Sequence, residues 1–405
     1  MAERPLTIAF SVGEESGDAL AAGLIDAIRR ERRETRFVGL AGDRMQARGI
    51  ASLFPVSDLT AMGFASVARQ LPRIVRRGWQ LVEAIAEWRP DILVIVDNPD
   101  FNHAVARRVA RRAPGTAIVN YVSPSVWAWR PYRARRMARY VDHVLALLPF
   151  EPEVHARLGG PPCSYVGHPL IEQLGRLRPA PGERAATDAG PVLLVLPGSR
   201  RSEISRLMQP FGEAVARLAG ELRELEVVLP ALPQLAEEIG RRAAGWPVPP
   251  RIVVGEADKL AAFRRAHAAL AASGTVTLEL ALAGVPMVVA YRVEALIRPL
   301  KFLLKAPSIV LANLVIGERV VPELIDSASS PAALAAYLGP LLAETPERRR
   351  QLDAFARLDE RMRLDNDETP NERAARIVLQ AAASGPGPRR PRPSAAVQRR
   401  LESGT

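Results

Sequence analysis

The chain alternates short apolar runs with amphipathic segments from its first residues onward. Residues 6–12, LTIAFSV, form an apolar run closed by turn residues. The next segment, GDALAAGLIDAIRR, places Leu20, Leu24, Ile25 and Ile28 on one face at helical spacing. Further strand-like runs follow at RFVGLAG, DILVIVD (91–97), TAIVNYV (116–122) and DHVLALLPF (142–150), each separated by a helical or basic stretch. Apolar runs of this kind, lacking strict alternation, suit strands buried on both faces. The order predicts βαβ units forming a parallel sheet with helices on both sides.

The alternation stops at 177–190, where Pro, Gly, Ala and charged residues mix without periodicity, which reads as a linker. It restarts with PVLLVLPGSR (191–200), LEVVLPA (225–231), PRIVVG (250–255), AHAALAASG (266–274) and VPMVVAYR (285–292). The prediction is therefore two doubly wound α/β domains, at 1–176 and 191–345, facing a cleft. C-terminal helices follow at 346–383. Residues 384–405, rich in Pro and Arg, read as a disordered tail.

A chain of 405 residues, 48% apolar, is long enough for two cores. Its net charge is +11, from 55 basic and 44 acidic residues. The last 22 residues, with five Arg and one Glu, supply +4 of this. The balance favours a polyanionic partner: nucleic acid, an anionic membrane surface or a phosphorylated substrate. The single cysteine, Cys163, precludes an intramolecular disulfide and fits a reducing compartment. No metal-binding spacing of Cys or His is present. The N-terminus lacks the apolar core of a signal peptide, and no run reaches the roughly 18–20 apolar residues of a spanning helix. These features point to a cytoplasmic protein, with peripheral membrane contact left open.

In open α/β sheets ligands sit beyond the carboxyl ends of strands, so residues there carry the chemistry. After the first strand comes SVGEESGDAL, where Gly13 and Gly17 permit tight turns and Ser16 or Asp18 can cap the next helix. An ordinary βα turn would look the same. After 191–196 comes LPGSRRSEISRL: Gly198 allows close backbone approach, Ser199 offers a hydroxyl, and Arg200 can fork onto phosphate oxygens. After 268–272, Ser273, Gly274 and Thr275 cap a helix whose amides point toward a phosphate. Glu279 lies one turn beyond Thr275 and can accept two hydrogen bonds from a ribose diol. Two such loops in one domain predict a nucleoside diphosphate site.

The strand 91–97 ends in Asp97, followed by Asn98, Pro99 and Asp100. Proline disfavours the right-handed helical conformation at Asn98. One acid can therefore face the cleft while the other caps the helix starting near Phe101. A partly desolvated carboxylate at the cleft suits a general base for a hydroxyl. Residues 121–140, YVSPSVWAWRPYRARRMARY, interleave aromatics with five Arg. Nucleic acid, lipid phosphates meeting Arg133, Arg135, Arg136 and Arg139, and a solvated basic helix all fit that pattern. Residues 59–85 are amphipathic and basic, with apolar AMGF at 61–64. That suits either a lipid contact or a half-buried helix.

Taken as a set, GEESGD, DNPDFN, YVSPSVWAWR, LLPFE, GHP, LPGSR..E and ASGT..LE occur in this order from residue 6 to about 320. In these motifs, YVSPSVWAWR being the most specific, the chain closely resembles the lipid-A-disaccharide synthases, which join two acylated glucosamines in Gram-negative bacteria. One departure is Glu15, where the family pattern has a small hydroxyl residue. The resemblance implies a metal-independent, inverting glycosyltransferase of the GT-B type with no cofactor. The donor would be UDP-2,3-diacylglucosamine and the acceptor 2,3-diacylglucosamine 1-phosphate (lipid X). The products would be the β-1,6-linked disaccharide 1-phosphate and UDP.

The same resemblance assigns Asp97 as the base for the acceptor 6-hydroxyl, leaving Asp100 structural. It places Gly198, Ser199, Arg200, Glu203, Ser273, Gly274, Thr275, Glu279 and Asn313 around UDP. It places Glu14, Ser16, Gly17, Asp18, Asn102, Ser123, Ser125, Trp127 and Arg130 around the acceptor and cleft. Met62 and Phe64 would contact membrane or acyl chains. It implies peripheral association with an anionic inner membrane and often a homodimer, with no nucleic-acid partner. Competing readings within the same frame are a UDP-sugar 2-epimerase, which needs no acyl-lipid surface, and the glycosyltransferase of the peptidoglycan lipid precursor, which should lack YVSPSVWAWR.

Overall fold

The computed structural model describes residues 5–59, 64–187, 190–222, 224–292 and 307–387. The chain divides into two compact units, the first comprising 1–168 with 364–405 and the second 169–363.

The first unit opens with β1 (Leu6–Val12), α1 (Glu15–Glu31), β2 (Thr35–Leu40), α2 (Asp43–Gln46) and the long α3 (Phe64–Trp88). It continues through β3 (Ile92–Val96), α4 (Pro99–Arg112), β4 (Ala117–Tyr121), α5 (Tyr132–Met137), β5 (His143–Ala146), α6 (Glu151–Leu158) and β6 (Cys163–Tyr165). The strands form one parallel sheet in the order β2-β1-β3-β4-β5-β6. Every residue of β1, β3 and β4 is buried, as the unbroken apolar runs require when helices cover both faces. On α1, Leu24, Ile25 and Ile28 are buried and Leu20 packs at their edge, the stripe its spacing predicts.

The second unit contains α7 (Leu174–Leu177), β7 (Val192–Leu196), α8 (Arg201–Glu221), β8 (Glu226–Ala231), α9 (Pro233–Ala243), β9 (Arg251–Val254) and α10 (Glu256–Arg265). Then come β10 (Ala268–Ala272), α11 (Val276–Leu282), β11 (Met287–Tyr291), α12 (Leu311–Ile316), β12 (Glu323–Ile325), α13 (Pro331–Leu338) and α14 (Pro346–Met362). Its sheet is parallel in the order β12-β11-β10-β7-β8-β9. Two doubly wound α/β units are thus present, as the pattern predicts. The short strands β6 and β12, three residues each, escape it because so few residues carry no periodicity.

Two boundaries differ from the sequence expectation. Residues 177–190 read as a linker, yet the described part of that stretch is fastened to the second unit by two arginines. Arg178 forks onto Asp359 and donates to the carbonyl of Leu282. Arg184 donates to the carbonyls of Phe263, Arg264, Ala283 and Gly284. These carbonyls lie at the ends of α10 and α11, where a cation serves both the hydrogen-bonding need and the helix dipole. Composition alone does not show such contacts.

The second difference is at the C-terminus, where α14 belongs to the second unit but α15 (Pro370–Ser384) returns to the first. Ala374, Ala375 and Val378 join the core made by β1, β3, β4 and α1. Gly23 on α1 leaves no room for a methyl against Asn371, so the two helices approach closely. The expected tail from 384 is described only to Gly387; the remainder lies outside the described residues.

Candidate active site

In the second unit the strand order reverses between β7 and β10, which pair with Leu196 beside Ala271. Both predicted phosphate loops leave from that point, the position where open α/β sheets bind ligands. A cavity of about 580 Å³ opens there. Gly198, Ser199, Arg200, Glu203, Ser273, Gly274, Thr275 and Glu279 all line it, so eight of the nine residues expected at the nucleotide are brought together.

The first loop runs into α8, whose N-terminal amides face the loop. In this structure the carboxylate of Glu203 accepts from the backbone N–H of Ser199 (3.1 Å) and Arg200 (3.3 Å) and from the Arg200 guanidinium (3.2 Å). It satisfies the helix start as the return half of a capping box. A methyl at Gly198 would collide with Glu203, and Gly198 has φ of 109°, so glycine is required for both reasons. The close approach at Gly198 is thus to Glu203. The Arg200 side chain remains largely exposed and able to reorient.

The second loop departs from expectation in detail. Neither Ser273 nor Thr275 caps α11: Ser273 donates to the Ile309 carbonyl at 2.7 Å, and the Thr275 side chain makes no capping bond. Glu279 faces the cavity and pairs with Lys259 on α10 at 2.7 Å. Sequence reasoning missed Lys259; its only signal is the strand-end turn at Gly255, φ 98°, that starts α10 at this edge. The apolar end of β8 and its turn, Pro230 to Pro233, form another wall. Asn313, the ninth expected residue, is not at the cavity. It is buried, donating to the Val321 carbonyl and Glu323 and accepting from the N–H groups of Val320 and Val321. Its four bonding positions are spent on the turn after α12.

In the first unit the order reverses between β1 and β3, with Val12 beside Val96. Asp97 follows directly. It has φ of 53° and Asn98 has φ of 39°, two successive non-glycine residues in left-handed geometry. Such backbone costs on the order of 1–3 kcal/mol per residue and persists only where its surroundings hold it. Three features hold it here. Asn102, fully buried on α4, donates its amide to the carbonyls of Val96 (2.9 Å) and Asp97 (2.7 Å). Ser11 on β1 donates to the Asn102 amide oxygen at 2.6 Å. Gly13 makes room for the Asn98 side chain, which a methyl there would strike.

The Asp97 carboxylate, half-buried, accepts from its neighbour's N–H at 2.9 Å and from the Ser16 hydroxyl at 3.1 Å. Ser16, exposed in the first turn of α1, is therefore brought to Asp97. Glu14 and Glu15 are exposed beside it. Neither Ser16 nor Asp18 caps α1, because both lie inside it. Asp18 is buried and accepts from the N–H of Arg44 (2.7 Å) and Met45 (3.2 Å), which anchors α2 rather than a ligand. Gly17 is buried against the end of β3, where a side chain would press the Val96 carbonyl. Asn102 supports the backbone from within the core and does not face solvent. Asp100 does not cap α4 either; it is exposed and pairs with Arg133 at 2.5 Å.

The YVSPSVWAWR segment has buried and exposed positions. Ser123 is buried on the His155 ring at 2.9 Å. Trp127 is held by Glu151 at 3.3 Å and packs edge-on against Phe150. Burial pushes the Glu151 carboxyl up to about 7 despite its bonds from Leu148 and Trp127, and burial pulls His155 down to about 4. Ser125 and Arg130 are exposed, with the Arg130 guanidinium over the Trp129 ring at 5.0 Å. Of the residues expected to contact membrane, Met62 lies outside the described residues and Phe64 begins α3. Among the described residues, no helix is long and apolar enough to cross a membrane.

The architecture is shared with solved structures. A UDP-GlcNAc 2-epimerase from Neisseria meningitidis bound to UDP-GlcNAc superposes with a TM-score of 0.58 over 94% of this chain and 100% of that one, at 13% identity. MurG of Acinetobacter baumannii gives 0.56 over 93% and 100%, also at 13% identity. These likenesses show the GT-B-like fold. Sequence is more specific. A lipid-A-disaccharide synthase of Nitrobacter hamburgensis is 56% identical over 380 residues, covering 93% of this chain and 95% of that protein. One of Rhodospirillum centenum is 41% identical over 384 residues, covering 93% and 94%. The lipid-A-disaccharide synthetase family model matches residues 8–378, from within β1 to the core of α15, and the chain belongs to that family.

Proposed function

We propose that the two units divide lipid A disaccharide synthesis between them, the second holding the UDP-sugar donor and the first activating the acceptor. The observation that carries the reading is the convergence of both strand-end loops, Glu279 and Lys259 on one cavity at the switch point of the second sheet. The uracil lies against the apolar wall at Pro230 to Pro233. The ribose diol binds Glu279, which its ion pair with Lys259 holds in place. The diphosphate takes the loop amides of Ser199 and Arg200, displacing the Glu203 carboxylate that bonds them in this structure.

The acceptor is 2,3-diacylglucosamine 1-phosphate and the donor UDP-2,3-diacylglucosamine. The acceptor 6-hydroxyl gives its proton to the Asp97 carboxylate as its oxygen bonds to the donor anomeric carbon. On the opposite face, the bond from that carbon to the β-phosphate oxygen breaks, and the electron pair leaves with UDP. The configuration inverts to β. Arg200, Lys259 and the α8 N-terminus supply the positive field for the departing diphosphate, where such preorganised groups are most effective. The Ser16 hydroxyl and the Asn98 N–H orient the base.

Both substrates carry acyl chains, so the enzyme works at a bilayer surface. Leu71, Val75 and Trp79 recur every four residues along α3 and are 53%, 45% and 48% exposed, forming one apolar stripe on a basic helix. This is the face we assign to peripheral contact with an anionic membrane.

The test is to incubate purified protein with both lipids and follow products by mass spectrometry, with and without a chelator. Disaccharide 1-phosphate and UDP should form in equal amounts in both conditions. UDP without disaccharide, or epimerised donor, would sink the reading; loss of turnover on chelation would sink its metal-free form.

A further inference from the structure

Outside the features already used, α4 and α5 enclose a pocket of about 160 Å³ in the first unit. His103, one turn into α4, lines it, and both its ring nitrogens are shut off from solvent without a partner. The half-buried ring forms part of the wall, but its nitrogens present no surface to the pocket, so the pocket's polar character comes from the charged side chains around it. Around it stand Arg107 from α4 and Arg133 and Arg136 from α5. Tyr140 packs edge-on to the imidazole at 5.9 Å, and Asp100 completes the wall, paired with Arg133.

The charge of this wall is specific. Three guanidinium groups less one carboxylate leave a formal +2 around a neutral imidazole. Burial, and after it the neighbouring Arg133, hold His103 down to about 4, with Asp100 opposing. A phosphomonoester carries about −1.5 to −2 at neutral pH and offers three acceptor oxygens, whereas a phospholipid diester carries one charge. Forked guanidinium groups match such an anion.

We propose that this pocket is a phosphomonoester subsite that holds the anomeric phosphate of the acceptor sugar. The assignment rests on the reaction proposed above. Its position supports it: Pro99 and Asp100 line the pocket mouth two and three residues after Asp97. His103 stands only about 6 Å further along the axis of α4, at 1.5 Å of rise per residue. One pyranose ring separates a 6-hydroxyl from a 1-phosphate, so one sugar spans from the base to the arginines. The subsite thus orients the acceptor, placing its only primary hydroxyl at Asp97. Arg107 and Arg136 are exposed and line the pocket, so they serve as phosphate ligands rather than core supports.

Two measurements on the full chain test it. The first compares acceptor kinetics of the wild type and Arg107→Gln/Arg136→Gln, using the acceptor with and without its phosphate. The double variant should raise KM for the phosphorylated acceptor on the order of 10–100-fold, as expected for lost charge-assisted hydrogen bonds. KM for the phosphate-free analogue and affinity for UDP should stay unchanged. Equal losses for both acceptors, or none for either, overturn the subsite. The second measurement needs no turnover, so it stands if the proposed reaction itself fails. The His103 ring is followed by NMR as glucosamine 1-phosphate, glucosamine, inorganic phosphate or phosphatidylglycerol vesicles are added. Glucosamine 1-phosphate alone should shift the His103 resonances at low concentration and raise its titration midpoint above about 4. A response to inorganic phosphate of equal affinity would reduce the pocket to a free-anion site. A response to vesicles, lost in the double variant, would make it a lipid-headgroup contact, and silence to all four would remove it.

Discussion

Asn102 donates its side-chain amide to the Asp97 carbonyl at 2.7 Å, from a position with no solvent exposure. The bond pins the backbone of the proposed base in left-handed geometry, while Ser11 fixes the amide from the other side at 2.6 Å. Asn102→Ala leaves two carbonyls and a hydroxyl short of a partner and should cost about 1–3 kcal/mol of stability. Because the turn loses its brace, kcat should fall on the order of tenfold while UDP affinity holds. Thermal melts and steady-state kinetics measure the two effects. A variant that loses stability but keeps full kcat would show that the turn needs no brace for chemistry.

The proposed reaction gives the two acids of the DNPD turn separate roles. Asp97→Asn keeps the shape and one of the two accepted hydrogen bonds, but its NH2 cannot accept a proton. It should lower kcat by roughly 10²–10⁴ with little change in UDP binding. Asp100 is exposed and pairs with Arg133, so Asp100→Asn should change stability by less than about 1 kcal/mol and leave kcat near normal. A folded, active Asp97→Asn beside a folded, inactive Asp100→Asn reverses the roles.

In the second unit, Glu279→Ala should weaken UDP on the order of tenfold or more through lost ribose bonds, yet spare pyrophosphate. Lys259→Met should weaken both, because it removes a positive charge from the cavity as well as the partner of Glu279. Calorimetric titration with the two ligands separates these outcomes. Equal weakening of UDP and pyrophosphate by Glu279→Ala argues against a ribose contact.

Much of this arrangement is legible in the sequence. Long apolar runs mark the central strands, and residues following them reach the switch points, as Asp97, Gly198 and Glu279 do. What is not legible are partnerships set by tertiary packing. Asn313 and Asn102 look like site residues in a motif, but their amides are consumed by neighbouring backbone. Asp18 looks like a cap for its own helix and instead anchors α2. Lys259 and His103 sit in helices whose own sequence does not show what they face, and only the turn at Gly255 marks the edge where the helix of Lys259 begins. Arg178 and Arg184 lie in a stretch with linker composition and bind helix ends about eighty or more residues away in sequence.

The proposed membrane face, the stripe of Leu71, Val75 and Trp79, is tested by vesicle binding. Replacing all three with Ser should lower binding to anionic vesicles on the order of tenfold, and wild-type binding should itself fall with added salt. Met62→Ser/Phe64→Ser should weaken it further if residues 61–64 insert. Truncation at Ser384 should alter only the salt-dependent part. Sedimentation with vesicles is the measurement. Undiminished binding by the triple variant assigns the stripe another role.

Glu151 ties the YVSPSVWAWR segment to pH. It is buried, bonds Trp127 and the Leu148 N–H, and is pushed up to about 7 by burial. Between its ordinary value of 4.5 and about 7, the folded state keeps a proton that the unfolded state has released. Its contribution to stability is therefore complete below 4.5 and lost as pH rises through 7. His103, His155 and His168, held near 4 by burial, act with the opposite sign: the unfolded state protonates first as pH falls, so their contribution disappears from 6.5 down to 4. Glu151→Gln keeps the size and a side-chain acceptor but removes the titration. The melting temperature of the variant relative to wild type should rise between pH 5 and pH 8, by several degrees for an effect on the order of 3 kcal/mol at the limit. The acid-side decline, set by the three histidines, should persist in both proteins. A difference that stays flat across that range would mean that Glu151 is ionised in the folded protein at pH 5, with Trp127 and the Leu148 N–H holding a full charge.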